Sequence, residues 1–99
     1  MIEHYAADDL RIRVPVTFEA GAPVQNLIGA AVIARAVPNR DFASAVDGAV
    51  TINAEGTEVT VVFEENTLPA NIYTFQVRAT KDGYTQTIAA DEIRSVRSV

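Results

Sequence analysis

Residues 72–81 read Ile72-Tyr73-Thr74-Phe75-Gln76-Val77-Arg78-Ala79-Thr80-Lys81, and this stretch decides the fold class. Apolar and polar side chains alternate along it, which is the period of a strand buried on one face. Asp82-Gly83 follows, the dipeptide that favours a two-residue hairpin turn. The sequence therefore predicts a long strand that turns back at residues 82–83 and returns over residues 84–88.

The segment 10–18 alternates in the same strict way, and its outward positions include Arg11, Arg13 and Pro15. Proline cannot donate a hydrogen bond to a neighbouring strand, so it is confined to edge strands and bulges. Residues 10–18 are therefore predicted to form an edge strand or a strand with a bulge at Pro15.

Four further segments are predicted strands: 27–37, 49–54, 57–63 and 93–99. The alanines of 27–37 would allow a helix, but Gly29 interrupts the run and Pro38 closes it early, which favours a strand. A tight turn at Glu55-Gly56 joins 49–54 to 57–63 as a hairpin. A loop opens at Pro38 and runs to a turn at Asp47-Gly48, and polar corners are expected at 64–71 and at Asp91-Glu92.

About seven short strands with turn signals between them are typical of a sandwich or a barrel, so the fold class is all-β. The 99 residues are enough for one domain, spanning 1–99. Residues 1–8 are expected to form a flexible or partner-contacting N-terminal arm. The arm carries no signal-peptide pattern, and the longest apolar run, 27–37, is too short to cross a bilayer. We therefore expect no membrane partner.

The residue inventory limits the chemistry that this chain is expected to perform. It holds no cysteine and one histidine, His4, which leaves no disulfide and no ordinary zinc ligand set. The net charge of −5 argues against nucleic-acid binding, which needs a basic surface. Because a domain of this size buries a modest core, neighbouring subunits are the remaining source of stability.

No catalytic, cofactor-binding or metal-binding residue is predicted. His4 is expected to be solvated at a frayed terminus, without a nucleophile beside it. The acidic pairs Asp8/Asp9, Glu64/Glu65 and Asp91/Glu92 could in principle serve a two-carboxylate hydrolase or bind calcium. Their placement at predicted strand ends favours solvated corners instead. The chain is therefore expected not to be an enzyme.

Five residues are predicted to contact a partner protein: Arg11, Arg13, Pro15, Arg78 and Tyr84. Tyr84 follows the predicted hairpin turn, where it would either anchor a partner or pack on the sheet. The arginines on the outward faces also oppose edge-to-edge aggregation, a role that requires no partner.

Three stretches together carry a resemblance to a known family: 22–30 (APVQNLIGA), 68–78 (LPANIYTFQVR) and 82–88 (DGYTQTI), the last leading to 92–96 (EIRSV). In this order they resemble small immunoglobulin-like domains of tailed-phage and prophage structural proteins, such as the N-terminal domain of baseplate upper proteins. The resemblance covers about residues 8–96. Family members usually have glycine where this chain has 70–72 and again at 91–92.

The resemblance implies an immunoglobulin-like antiparallel β-sandwich of about seven strands. It also implies a non-enzymatic structural or adaptor protein of a phage or phage-like particle, with gene transfer agents included. Its partners would be other virion proteins, in a homo-oligomer or ring, with synthesis in the cytoplasm before incorporation into the virion. Because the chain stops after its last strand, it is expected to be a stand-alone adaptor or decoration subunit. The alternative is a carbohydrate-binding or adhesin-type module, for which three tyrosines and no tryptophan give little support.

Overall fold

The computed structural model describes residues 1–39 and 45–97. Within these ranges the chain forms strands, turns and loops, with no helix and hence none that could cross a membrane. The strands are β1 (Ile2–Tyr5), β2 (Leu10–Pro15), β3 (Ala31–Pro38), β4 (Val46–Ile52), β5 (Glu58–Phe63), β6 (Asn71–Lys81) and β7 (Tyr84–Val96). They make one seven-stranded sheet in the order β1-β7-β6-β3-β4-β5-β2, which curls until it nearly closes on itself. The all-β prediction is confirmed.

The β6/β7 hairpin forms where the alternating stretch predicts it. Asp82 and Gly83 have φ angles of 52° and 82°, as a two-residue turn with two left-handed positions requires. The expected corner at residues 91–92 is wrong, because Asp91 and Glu92 continue β7 opposite β6. A bulge where the register shifts between Val77 and Arg78 turns two successive residues of β7 toward the core and breaks the alternation.

The sheet is mixed, because β1 pairs in parallel with the end of β7 while every other printed pairing is antiparallel. This corrects the expectation of a purely antiparallel arrangement. It also differs from the arm expected over residues 1–8, since Ile2–Tyr5 is hydrogen-bonded to β7. A strand of four residues is too short to show a period in the sequence.

Strand β4 joins the two ends of the sheet. Residues 46–48 pair with β3, and residues 49–52 pair with β5. The turn predicted at Asp47-Gly48 is therefore wrong, because both residues lie inside β4. The loop predicted from Pro38 lies partly outside the described residues, as do the last two positions of the predicted strand 93–99.

Two other expectations about strand ends have clear outcomes. β2 stands at the end of the sheet order, so the edge position inferred from Pro15 is confirmed. β3 begins at Ala31, four residues later than predicted from Leu27. Leu27 is instead buried in a loop, where its backbone N–H donates to the Gly56 carbonyl at 2.9 Å.

The core lies between the β2/β5 side and the β3/β6/β7 side of the curled sheet. Phe63 of β5 and Phe75 of β6 meet edge to face, with ring centroids 6.0 Å apart and planes at 73°. The buried apolar residues are Val14, Leu27, Ala34, Ala36, Val59, Val61, Phe63, Leu68, Tyr73, Phe75, Val77, Ala79 and Ile93. Aliphatic side chains dominate this set, so the aromatic pair supplies its two largest fully buried members.

The corner before β6 is closed by a side chain from the strand itself. The Tyr73 hydroxyl donates to the Pro69 carbonyl at 2.6 Å, and Ser95 Oγ donates to the Leu68 carbonyl at 2.7 Å. Leu68 is fully buried between these two bonds. The corner is thereby fixed to the start of β6 and to the end of β7.

We expect Tyr73→Phe to lower the free energy of unfolding by about 1–2 kcal/mol at pH 7, because the Pro69 carbonyl loses its donor. Burial raises the pKa of the Tyr73 phenol above its usual value of 10.0. The neutral phenol therefore stabilises the fold below pH 10, and this contribution is lost as the pH rises through the folded-state pKa. Urea unfolding of both proteins at pH 7 and above pH 10 should show the stability gap narrowing. A gap that stays constant with pH would contradict this assignment.

Candidate functional site

The five predicted contact residues fall at three separate places. Arg11, Arg13 and Pro15 lie exposed on the outward side of edge strand β2. Their cross-strand neighbours on β5 are Val62, Thr60 and Glu58, in that order. This surface is mixed in polarity, and its proline and arginines are features that discourage a further strand from pairing with β2.

Arg78 lies on a different surface, here called the outer face: Ile33, Arg35, Val37, Thr74, Gln76 and Arg78 on β3 and β6. These side chains line a shallow groove of about 430 Å³. Ile33 is 56% exposed and Val37 is 44% exposed, although both are large aliphatic residues. Arg35 Nε donates to Asp47 Oδ1 at 2.9 Å. The outer face thus combines exposed aliphatic side chains with guanidinium groups.

Tyr84 lies at the tip of the β6/β7 hairpin and is 54% exposed. Together with Gln86 it lines one wall of a groove of about 330 Å³, here called the hairpin groove. The opposite wall belongs to the β2–β3 loop: Thr17, Phe18, Glu19, Ala22, Pro23 and Val24. The sequence left open whether Tyr84 packs or anchors; in the structure it does part of each, bordering a groove while most of its ring stays accessible.

A lysine at the hairpin tip holds this loop in place. Lys81 Nζ donates to the Asn26 backbone carbonyl at 3.0 Å and to its side-chain oxygen at 2.8 Å. Asn26 Oδ1 also accepts the backbone N–H of Ile28 at 3.0 Å. The groove wall is therefore tied to the hairpin by a charge-assisted contact, which sequence analysis did not predict because the two residues lie far apart in the chain.

His4 is not a solvated terminal side chain, as the sequence led us to expect. It is 7% exposed in β1 and lies beside Ser95 of β7 in the strand register. A serine next to a histidine invites a test for a nucleophile and its base. The Ser95 hydroxyl, however, donates to the Leu68 carbonyl rather than to His4. The pair is arranged as a structural contact between strand, corner and edge.

The acidic pairs are exposed at two ends of the sheet. The register between Leu10 and Phe63 brings Asp9 and Glu64 to neighbouring positions, while Asp91 and Glu92 lie on β7. The backbone N–H of Glu92 and the Met1 ammonium hold the pKa of the Asp91 carboxyl below its ordinary value. Within residues 1–39 and 45–97, no three His, Asp or Glu side chains are grouped closely enough to hold a metal ion.

The described residues therefore define an all-β domain whose accessible features are a sheet face, a groove and two sheet edges. Such features belong to the class of domains that bind other molecules through surfaces. No protein-family model and no curated protein sequence matches this chain.

Proposed function

We propose that this chain is a non-enzymatic structural or adaptor protein of a phage or phage-like particle, built as an immunoglobulin-like β-sandwich. It assembles with other virion proteins, as the resemblance of residues 8–96 to tailed-phage structural domains implies. The observation that carries the assembly part of this proposal is the outer face, where Ile33 and Val37 stay exposed beside Arg35 and Arg78.

The pairing scheme supports the sandwich. β2, β5 and the second half of β4 make one layer, and β1, β7, β6, β3 and the first half of β4 make the other. Phe63 and Phe75 meet between them. The Tyr73 hydroxyl bond to the Pro69 carbonyl resembles the tyrosine corner of immunoglobulin-like folds, in which a tyrosine at the start of a strand bonds back to the preceding corner.

The composition of the outer face supports association with protein rather than exposure to water alone. Aliphatic side chains and arginines are enriched where proteins bind proteins, since the former gain from leaving water and the latter make several hydrogen bonds. In a particle, repeated copies multiply weak contacts through avidity, so a modest face is sufficient. A neighbouring subunit would also add burial that a small core lacks.

The test is co-purification with particles from the organism that encodes the chain. An epitope-tagged chain should band with particles in a density gradient, and gold-labelled antibody should decorate them. The double variant Ile33→Asp/Val37→Asp should be lost from the particle band while keeping its melting temperature. The matched control Thr51→Asp, an exposed substitution on β4, should stay with the particles. A wild-type chain found only in the soluble fraction would overturn the proposal.

A further inference from the structure

The two strands of the β6/β7 hairpin differ in how far they are covered. β6 pairs with β3 on one side and with β7 on the other. β7 is covered on its outer side only from Ile93 to Val96, where β1 pairs with it. Among the described strands, none pairs with the outer side of residues 84–92, here called the β7 free edge.

The backbone groups of this edge have a definite direction. Lys81 and Tyr84 close a two-residue turn, so they form the hydrogen-bonded pair that begins the ladder. The pairs alternate from there, which turns the N–H and C=O groups of Thr85 and Thr87 away from β6. The hydroxyls of Thr80 and Thr85 lie 2.9 Å apart, as expected for the closely spaced pair. Alternating donors and acceptors in a row match an extended backbone.

The side chains of the β7 free edge do not protect it. Residues 84–90 (YTQTIAA) contain no charge and no proline, and they are rich in types that favour strands. The other edge of the sheet, β2, carries Arg11, Arg13 and Pro15, which oppose the addition of a strand. Only the bulge at Ile88 interrupts the β7 free edge. The two edges of one sheet are thus treated in opposite ways.

The hairpin groove lies beside this edge. Tyr84 and Gln86 belong to β7 and form one wall of the groove, while Phe18 and Val24 stand on the other. A strand added along β7 would point every second side chain to the same side as Tyr84 and Gln86. The groove would receive such a side chain, and its volume of about 330 Å³ suits an aliphatic one.

Charge decides between two kinds of added strand. Glu19 borders the groove, Asp82 lies at one end of the free edge, and Asp91 with Glu92 lies at the other. A second copy paired antiparallel about Thr87, the middle of the uncharged stretch, would set Asp82 against Glu92 of the other copy at both ends. Like charges opposite each other destabilise strand pairs, whereas a basic residue at each end would be attracted.

We propose that the β7 free edge binds an extended peptide segment of a partner protein, which adds as a strand, places an aliphatic side chain in the hairpin groove and carries Lys or Arg at its ends. The backbone of Thr85 and Thr87 supplies the hydrogen bonds. The site does not depend on the outer face, and a protein outside any particle would bind such a segment in the same way.

The test uses a synthetic peptide of alternating threonine and valine with a lysine at each end, titrated into the labelled protein and followed by amide NMR shifts. Shifts should centre on Thr85 and Thr87. Thr87→Pro removes an outward N–H while leaving the bonds to β6 in place, so it should weaken binding about tenfold or more. Thr87→Val, which keeps the N–H, should bind as the wild type does, and a peptide ending in glutamate should bind more weakly.

Each other result would overturn the proposal. Equal binding by Thr87→Pro and Thr87→Val would mean that the edge backbone is not used. Shifts confined to Ile33 and Val37 would place the peptide on the outer face. No binding of the lysine-ended peptide would remove the site. A wild-type dimer that Thr87→Pro dissociates would identify a second copy as the occupant. The melting temperature of Thr87→Pro checks that the hairpin is intact.

Discussion

Phe63→Ala is expected to lower the free energy of unfolding by about 3–5 kcal/mol, the usual cost of removing a buried aromatic side chain. Phe63 is fully buried on β5 and meets Phe75 of β6 edge to face, so its ring joins the two sides of the curled sheet. A domain of this kind has a total stability of about 5–15 kcal/mol. The single substitution therefore removes a large share of it, and the variant is expected to be partly unfolded near its growth temperature.

Urea unfolding followed by far-ultraviolet circular dichroism measures the loss. The matched control is Ile33→Ala, which trims a large apolar side chain that is mostly exposed on the outer face and should change stability by about 0.5 kcal/mol or less. Phe63→Leu keeps most of the volume and should lie between the two. Equal losses in Phe63→Ala and Ile33→Ala would show that the core is not where the structure places it.

The parts of the fold that the sequence predicts are those with an uninterrupted period. Strand β6 alternates over its whole length, and the Asp82-Gly83 turn has the residues that left-handed positions favour. Strand β7 was divided in two because its bulge puts Ile88 and Ala89 both against the core, which interrupts the period without ending the strand. Glycine and acidic residues nearby then look like a corner when only their types are considered.

The candidate sites divide along the same line. Alternation alone places Arg11, Arg13 and Arg78 outward, and each is exposed in the structure. The hairpin groove could not be predicted, because one of its walls is an irregular loop held by the distant contact between Lys81 and Asn26. The free edge of β7 depends on how few residues β1 covers, and β1 is too short to be recognised in the sequence.

Gly48→Ala is expected to lower the free energy of unfolding by about 1–3 kcal/mol, because the added methyl has no room. A Cβ atom at Gly48 would lie 2.5 Å from Val61 Cγ1 and 3.2 Å from the tip of the Phe63 ring. Gly48 is not among the residues with positive φ, so backbone strain is not the cause. The glycine is required because β4 passes from β3 to β5 at this point, directly over the core.

Space as the cause can be separated from glycine's backbone freedom by a double-mutant cycle. Val61→Ala removes the atom that the new methyl would strike, so Gly48→Ala should cost clearly less in the Val61→Ala background than in the wild type. The neighbouring exposed position provides the control, since Ala49→Thr adds atoms on the outward side of the same strand and should not destabilise the protein. Strictly additive losses for Gly48 and Val61 would mean that the crossing of β4 is not limited by this contact.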